Sequence, residues 1–147
     1  MRKFLDNDWL TLAARIALAT ILFYAAQDKI LNPDTFYDSI ENYDLLAESF
    51  IYPLSRILPW IEVAIGLAFL LGIKTRFTGF IASLMFIVFI AAISSTIVRG
   101  LEIDCGCFAA AEDAPGSPYG AIARDVGFLI LSLQTTISRS KKWTLLN

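Results

Sequence analysis

The sequence predicts an all-α, polytopic membrane protein: a four-transmembrane-helix bundle with a short interfacial helix after the first span. Three observations carry that expectation. The composition is 56% hydrophobic and only 18% charged, with a mean hydropathy of +0.61, whereas soluble domains run at about 45–50% apolar and about 25% charged. A chain of 147 residues cannot hide that surplus in a water-soluble core, because small domains leave much of their surface facing solvent. Four segments also approach the roughly 20 mainly apolar residues that a spanning helix needs.

The first span runs over about 9–26, from Trp9 to Ala26, with Arg15 as its one charge. The second covers about 52–73, with Arg56 near its start and Glu62 near its centre. Pro59 lies inside it, removing one amide donor and pressing on the carbonyl of Ser55, so a kink is expected there. Backbone groups freed in this way are tolerated in lipid only where neighbouring helices or side chains satisfy them. The third span, about 77–98, carries no charge, and the fourth, about 119–138, holds Arg124 and Asp125 in its first two turns. Ala64, Ala68 and Gly72 on the second span, and Gly79 with Ser83 on the third, form small-residue rows suited to close helix packing. Four spans use over half the chain, so residues 1–147 read as a single domain.

The connections differ in character. Gly72 to Arg76 is a short turn that makes spans two and three an antiparallel hairpin. Asn32-Pro33-Asp34 reads as an N-cap, a proline at the first helical position and an acid favoured by the helix dipole. A short helix should follow, with Phe36, Tyr37, Ile40 and Tyr43 near one face and Asp34, Asp38 and Glu41 on the other, lying along the membrane interface. The third connection holds Cys105-Gly106-Cys107 and ends in Pro115-Gly116-Ser117-Pro118, a turn followed by a helix start with Ser117 as N-cap.

Met1-Arg2-Lys3 before an apolar stretch has the outline of a secretory signal. The apolar run exceeds the usual ~7–15 residues, contains an arginine and lacks a clear cleavage pattern, so an uncleaved first span is expected. Lysine and arginine bias sets orientation. Arg2, Lys3, Lys74, Arg76, Arg139, Lys141 and Lys142 fall on one side; Lys29, Arg56, Arg99 and Arg124 fall on the other, together with ten acids. By this bias both termini should be cytoplasmic and the cysteines should lie outside or at the outer membrane face, the compartment in which disulfides form and persist.

Charges within spans should face inward and pair. Glu62 leans toward Arg124 or Lys29, while Arg15 leans toward the cytoplasm and can snorkel there. Two readings of Glu62, Arg124, Asp125, Arg15 and Lys29 stand side by side: a proton or quinone-headgroup site, with Glu62 and Arg124 holding the quinone, or a polar clamp fixing helix order.

The sequence has no histidine, which excludes histidine-ligated haem, histidine metal sites and Ser-His or Cys-His catalytic pairs. Redox or soft-metal chemistry therefore rests on Cys105 and Cys107 or on a bound cofactor. Two thiols separated by one residue can close a small, strained ring that is readily reduced and suited to exchange. Such a short loop contributes little stability, and Gly106 supplies the backbone freedom the ring requires. Spacing alone also admits a Cu(I) or Hg(II) site, or two ordinary buried cysteines.

Several ordered stretches resemble one family. "LFYAAQDKILNPDTFYDSIENYDLL", "LPWIEVAIGLAFLLGIKTRFTG", "RGLEIDCGCFA" and "ARDVGFLILS" are similar, in the same order, to segments of the MauE/DoxX-like family of small four-helix membrane proteins. The resemblance covers about residues 10–135. It extends to Lys29, Tyr43, Pro59, Glu62, Arg76, Arg99, Cys105, Cys107, Arg124 and Asp125, while Ala26 and Ala109 stand where the family usually has glycine. It implies a redox-associated protein of the bacterial inner membrane that exchanges electrons or disulfides with a periplasmic thioredoxin-like partner through the cysteine pair, with a quinone as membrane acceptor. The rival expectation is a non-catalytic subunit or assembly factor of a larger respiratory or secretion complex, its cysteines a structural bridge.

The orientation is open to a direct check. A green fluorescent protein fused to the C-terminus is expected to fluoresce, and alkaline phosphatase fused after Ala47 to be active. The opposite pattern would reverse the assignment.

Overall fold

The computed structural model describes residues 7–100, 118–138 and 144–145. Every regular element among them is an α-helix: α1 (Asp8–Leu31), α2 (Pro33–Asn42), α3 (Glu48–Leu71), α4 (Thr75–Val98) and α5 (Pro118–Ile137). Three of these, α1, α3 and α4, are long and apolar enough to cross a membrane, and the chain is an all-α membrane protein. α5 coincides with the expected fourth span but carries Arg124, Asp125 and a polar run at its end, and it is not among those three.

The helix boundaries follow from local chemistry. The Asn7 side chain accepts a hydrogen bond from the Trp9 amide at 3.1 Å and caps α1. α1 continues five residues past the expected end at Ala26, because Gln27, Asp28 and Lys29 keep helical geometry and the ammonium of Lys29 finds a buried partner. α2 begins with proline at its first position, as expected. Asn32 does not cap it through its side chain; its amide turns back to Asp28, 3.3 Å from Oδ1. α3 starts four residues earlier than expected and runs unbroken through both Pro53 and Pro59. Gly72, left-handed at φ 69°, ends α3, its amide reaching the Phe69 carbonyl at 3.3 Å. Thr78 Oγ1 donates to the Ile73 carbonyl at 2.8 Å and closes the turn into α4.

Spans joined by this turn do not find their main partners in each other. α1 packs chiefly on α3 and α4 chiefly on α5, α1 also touches α5, and the α3–α4 contact is smaller. The core is built from Leu18, Leu22, Ile65, Phe69, Ala82 and Phe86, with Phe128, Leu129 and Leu131 of α5 packed against it. A second cluster joins Phe36 and Ile40 of α2 to Ile51, Leu54 and Leu58 of α3. The apolar face expected for α2 is therefore buried against the first turns of α3. An exposed ion pair, Arg56 to Asp34 at 3.7 Å, adds a contact between the same two helices that is worth little by itself. Large apolar side chains point outward along α1, α3, α4 and α5, among them Ile16, Trp60, Phe80 and Ile130. In water so much apolar surface would promote association; in lipid it is the normal helix exterior.

Close approach occurs at particular small residues. The Ala64–Ala68–Gly72 row is only partly turned inward, since Ala64 is exposed. It is Gly66 that admits α1, where a methyl group would lie 3.2 Å from the Phe23 ring. Gly79 behaves as the sequence implies. A methyl group there would meet Thr135 Oγ1 at 2.5 Å, Thr136 Oγ1 at 2.6 Å and the Ser132 carbonyl at 2.9 Å. One turn on, Ser83 and Ser132 share a hydroxyl–hydroxyl bond of 2.8 Å across the same seam.

Gly79→Ala is therefore expected to push α4 and α5 apart and to cost about 1–3 kcal/mol, the usual range for overpacking. Gly127→Ala, where nothing lies within 4 Å, should be neutral or slightly stabilising. Thermal unfolding of both variants in one detergent distinguishes them.

Candidate functional site

Lys29, Glu62, Arg124 and Asp125 converge at one level of the bundle. α1 and α3 run antiparallel, and helical side chains lean toward the N-terminus of their own helix. Lys29, in the last turn of α1, therefore leans back along the bundle while Glu62, in the middle of α3, leans toward it. The ammonium of Lys29 donates to Glu62 Oε1, and both side chains are 1% exposed. Of the two partners expected for Glu62, the structure selects Lys29. Arg124 pairs with its neighbour Asp125, its Nε and one terminal nitrogen each 3.4 Å from Oδ1.

The two pairs adjoin. Lys29, Glu62, Arg124 and Asp125 line one crevice, closed by Leu22, Ala25, Phe86 and Phe128 among others. Its volume is about 20 Å³, the room of a single water rather than of a ring, given that a water needs at least about 10–15 Å³. Among the described residues, Glu62 Oε2 and Asp125 Oδ2 are buried without a hydrogen-bond partner. The crevice thus contains two cations, two carboxylates and two acceptor oxygens, with no formal net charge.

Phe36 and Phe89, which sequence reasoning did not assign to the site, flank Lys29. The ammonium lies 5.0 Å from the centroid of Phe36 and 5.4 Å from that of Phe89, within range for cation–π attraction. The amphipathic pattern of α2 was the available signal for Phe36; a phenylalanine within the uniformly apolar α4 gives no comparable signal for Phe89. Ala26, in the place where family members usually have glycine, is fully buried in continuous helix, so the departure leaves the backbone around Lys29 intact.

Arg15 is buried rather than snorkelling outward. It is 2% exposed, and its Nε donates to the Phe69 carbonyl at 3.0 Å, fastening α1 to the last turn of α3. Pro59 is buried on the α3 face that carries Glu62. At the end of the bundle that carries α2, Arg99 binds the carbonyl of Tyr43, reaches that of Asp44 at 3.3 Å, and approaches the Asp44 carboxylate at 3.7 Å. These bonds tie the end of α4 to the loop after α2. Cys105, Cys107, Ala109 and Ser117 lie outside the described residues.

Truncating one member of a buried ion pair leaves the other charge desolvated and alone, at a cost of about 3–5 kcal/mol. Lys29→Met should lower stability by that order, and combining it with Glu62→Leu should restore most of the loss. Denaturant unfolding in detergent would show it. A double variant no more stable than the single one would mean that the pair does not hold α1 against α3.

The family model described as methylamine utilisation protein MauE matches residues 7–138. The chain is 30% identical over 108 residues to the methylamine utilization protein MauE of Methylophilus methylotrophus, covering 73% of this chain and 57% of that protein. It is 29% identical over 109 residues to the protein of the same name from Paracoccus denitrificans, covering 74% and 59% respectively. The chain thus spans somewhat over half the length of these relatives. No solved structure matches it. Matched along nearly its whole length, the chain belongs to the MauE family.

Proposed function

We propose that this protein is a membrane thiol–disulfide exchange protein whose reacting pair is Cys105 and Cys107 and whose partner is a periplasmic thioredoxin-like protein. The observation that carries the reading is the Cys-Gly-Cys itself. The chain has two cysteines and no histidine, so thiol chemistry here has one possible location. In the sequence the pair follows Arg99, which fastens the loop after α2, and precedes Pro118, the first residue of α5. Lysine and arginine bias puts that end of the bundle on the periplasmic side of a bacterial inner membrane, with both termini in the cytoplasm and α5 as the fourth span of a single domain.

In the exchange, the thiolate of one cysteine attacks a partner disulfide and forms a mixed disulfide, releasing one partner sulfur as thiolate. The second cysteine then attacks the sulfur of the first and displaces the remaining partner thiol. The products are a Cys105–Cys107 disulfide and a reduced partner, two electrons having moved to the partner; the reverse sequence oxidises the partner instead. The intramembrane charges act as a polar clamp in this reading: Lys29–Glu62 fixes α1 on α3, and Arg124–Asp125 fills the α5 side of the same crevice. The names of its relatives point to methylamine utilisation as the setting; in this reading the exchange makes or rearranges disulfides there.

Cys105→Ser and Cys107→Ser, made singly, test the exchange. One of them is expected to accumulate a mixed disulfide with an extracytoplasmic protein, reversible by dithiothreitol on a non-reducing gel and absent from the double variant. Full function with no trapped species, together with stoichiometric co-purification in a complex indifferent to both substitutions, would overturn it in favour of a non-catalytic subunit.

A further inference from the structure

Lys29 stands in the wall between two spaces. The larger, of about 200 Å³, lies between α3 and α4 and is lined chiefly by apolar side chains, Leu54, Leu58 and Ile93 among them. The smaller is the charged crevice of about 20 Å³ on the α5 side. In it Glu62 accepts from Lys29 through Oε1, and Asp125 accepts from Arg124 through Oδ1. The other oxygen of each carboxylate, Glu62 Oε2 and Asp125 Oδ2, is buried with no hydrogen-bond partner among the described residues. The two side chains are 1% and 5% exposed, so neither oxygen has bulk solvent to turn to. A buried acceptor left without a donor is costly, and more so when it is charged.

Whatever satisfies both oxygens must be small, must donate twice and must leave the charge balance intact. The crevice admits one water-sized species. Lys29 from α1 and Arg124 from α5 balance Glu62 from α3 and Asp125 from α5, while α4 brings only Met85, Phe86 and Phe89. The charge of Lys29 also acts on the Asp125 carboxylate, so the four groups form one electrostatic unit. A metal cation would upset the balance, and Ca²⁺ or Mg²⁺ takes about six or more oxygens where two are offered. A proton shared between the carboxylates would satisfy both oxygens but leave a net positive charge in apolar surroundings, which is costly. Water is neutral, fits, and carries two O–H donors. The ammonium of Lys29, with three donors, can in turn donate to its oxygen.

We infer that the crevice binds one water molecule, which donates one hydrogen bond to Glu62 Oε2 and the other to Asp125 Oδ2. Arg124 and Asp125 are neighbours on one helix, so their pairing by itself holds no helix against another. The water turns the two ion pairs into a single network and ties α5 to α1 and α3 at the level of Lys29. The inference goes beyond the thiol reading and uses neither cysteine.

Infrared difference spectra of the full chain in phospholipid nanodiscs, taken in ordinary and in heavy-oxygen water, provide the test. A narrow O–H stretching band of an internal water is expected, moving to lower frequency in heavy-oxygen water. Glu62→Gln and Asp125→Asn, which keep the shape of each side chain, should both displace that same band, because one water touches both residues. Ala25→Val adds two methyl groups to the crevice wall and should abolish it. The C105S/C107S chain should retain the band whatever becomes of thiol exchange, which separates this inference from the thiol reading. The unsubstituted chain decides whether the water is there, so the test survives a variant that fails to fold. Three results would each overturn the inference: no isotope-shifted band, a band displaced by only one of the two carboxylate substitutions, or a band unchanged in Ala25→Val. So would a carbonyl stretch from a protonated carboxyl group that Glu62→Gln or Asp125→Asn removes, since the oxygens would then share a proton instead.

Discussion

The buried pair between Lys29 and Glu62 is the constraint on which the rest of the arrangement depends. Inside an apolar helix bundle neither charge has water to fall back on, and an isolated charge at that depth costs at least a few kcal/mol. Among possible registers of α1 against α3, the one that brings these groups together is therefore strongly favoured. That register fixes more than two helices. It sets where α1 ends, and so where α2 begins and which turns of α3 receive Phe36 and Ile40. It also places one ammonium in the wall between two spaces of different chemistry, a charge-balanced crevice on the α5 side and an apolar cavity on the other.

The second half of the bundle is held by different means. α4 and α5 approach through Gly79 and the hydroxyls of Ser83, Ser132 and Thr135, the last two fully buried. The Ser132 hydroxyl is also 2.9 Å from the Leu129 carbonyl, and that of Thr135 is 2.7 Å from the Ser132 carbonyl. Hydroxyls satisfied in this way carry no unpaired polar cost into the interior. At the opposite end from α2, the Thr11 and Ser138 hydroxyls meet at 2.8 Å and Gln134 donates to Thr11 at 3.2 Å, joining α1 to α5. The bundle is thus two helix pairs, one registered by charge and one by small polar residues, joined along the α1–α5 contact.

Much of this was legible in the sequence, for identifiable reasons. Spans announce themselves because lipid requires runs of apolar residues, and Asn32-Pro33-Asp34 marked the start of α2 because proline tolerates only certain helix positions. That Glu62 would turn inward and seek a cation followed from electrostatics alone. Which cation it found did not, because Lys29 and Arg124 both lie on helices able to reach it and periodicity does not report helix order around a bundle. The same limit hid the pairing of α1 with α3 and the larger space beside Lys29, which exists because two sequence neighbours, α3 and α4, pack mainly on other helices. The burial of Arg15 differed from expectation for a local reason: a backbone carbonyl at Phe69 lay within reach, and a bond to it replaced exposure to water. The cysteines remain a sequence argument, carried by their spacing and by membership of the family.

The order in which the chain is made gives the Lys29–Glu62 pair a further meaning. The two residues are 33 positions apart, and chains emerge from the ribosome N-terminus first, at about 5–20 residues per second. For a second or more α1 exists with its lysine while the carboxylate that will neutralise it has yet to be synthesised. During that interval the lysine is best placed at the headgroup level, at the end of a helix that is otherwise apolar. The arrival of α3 draws it inward, so that assembly of this bundle includes an electrostatic docking step that cannot be completed until the second span has entered the membrane.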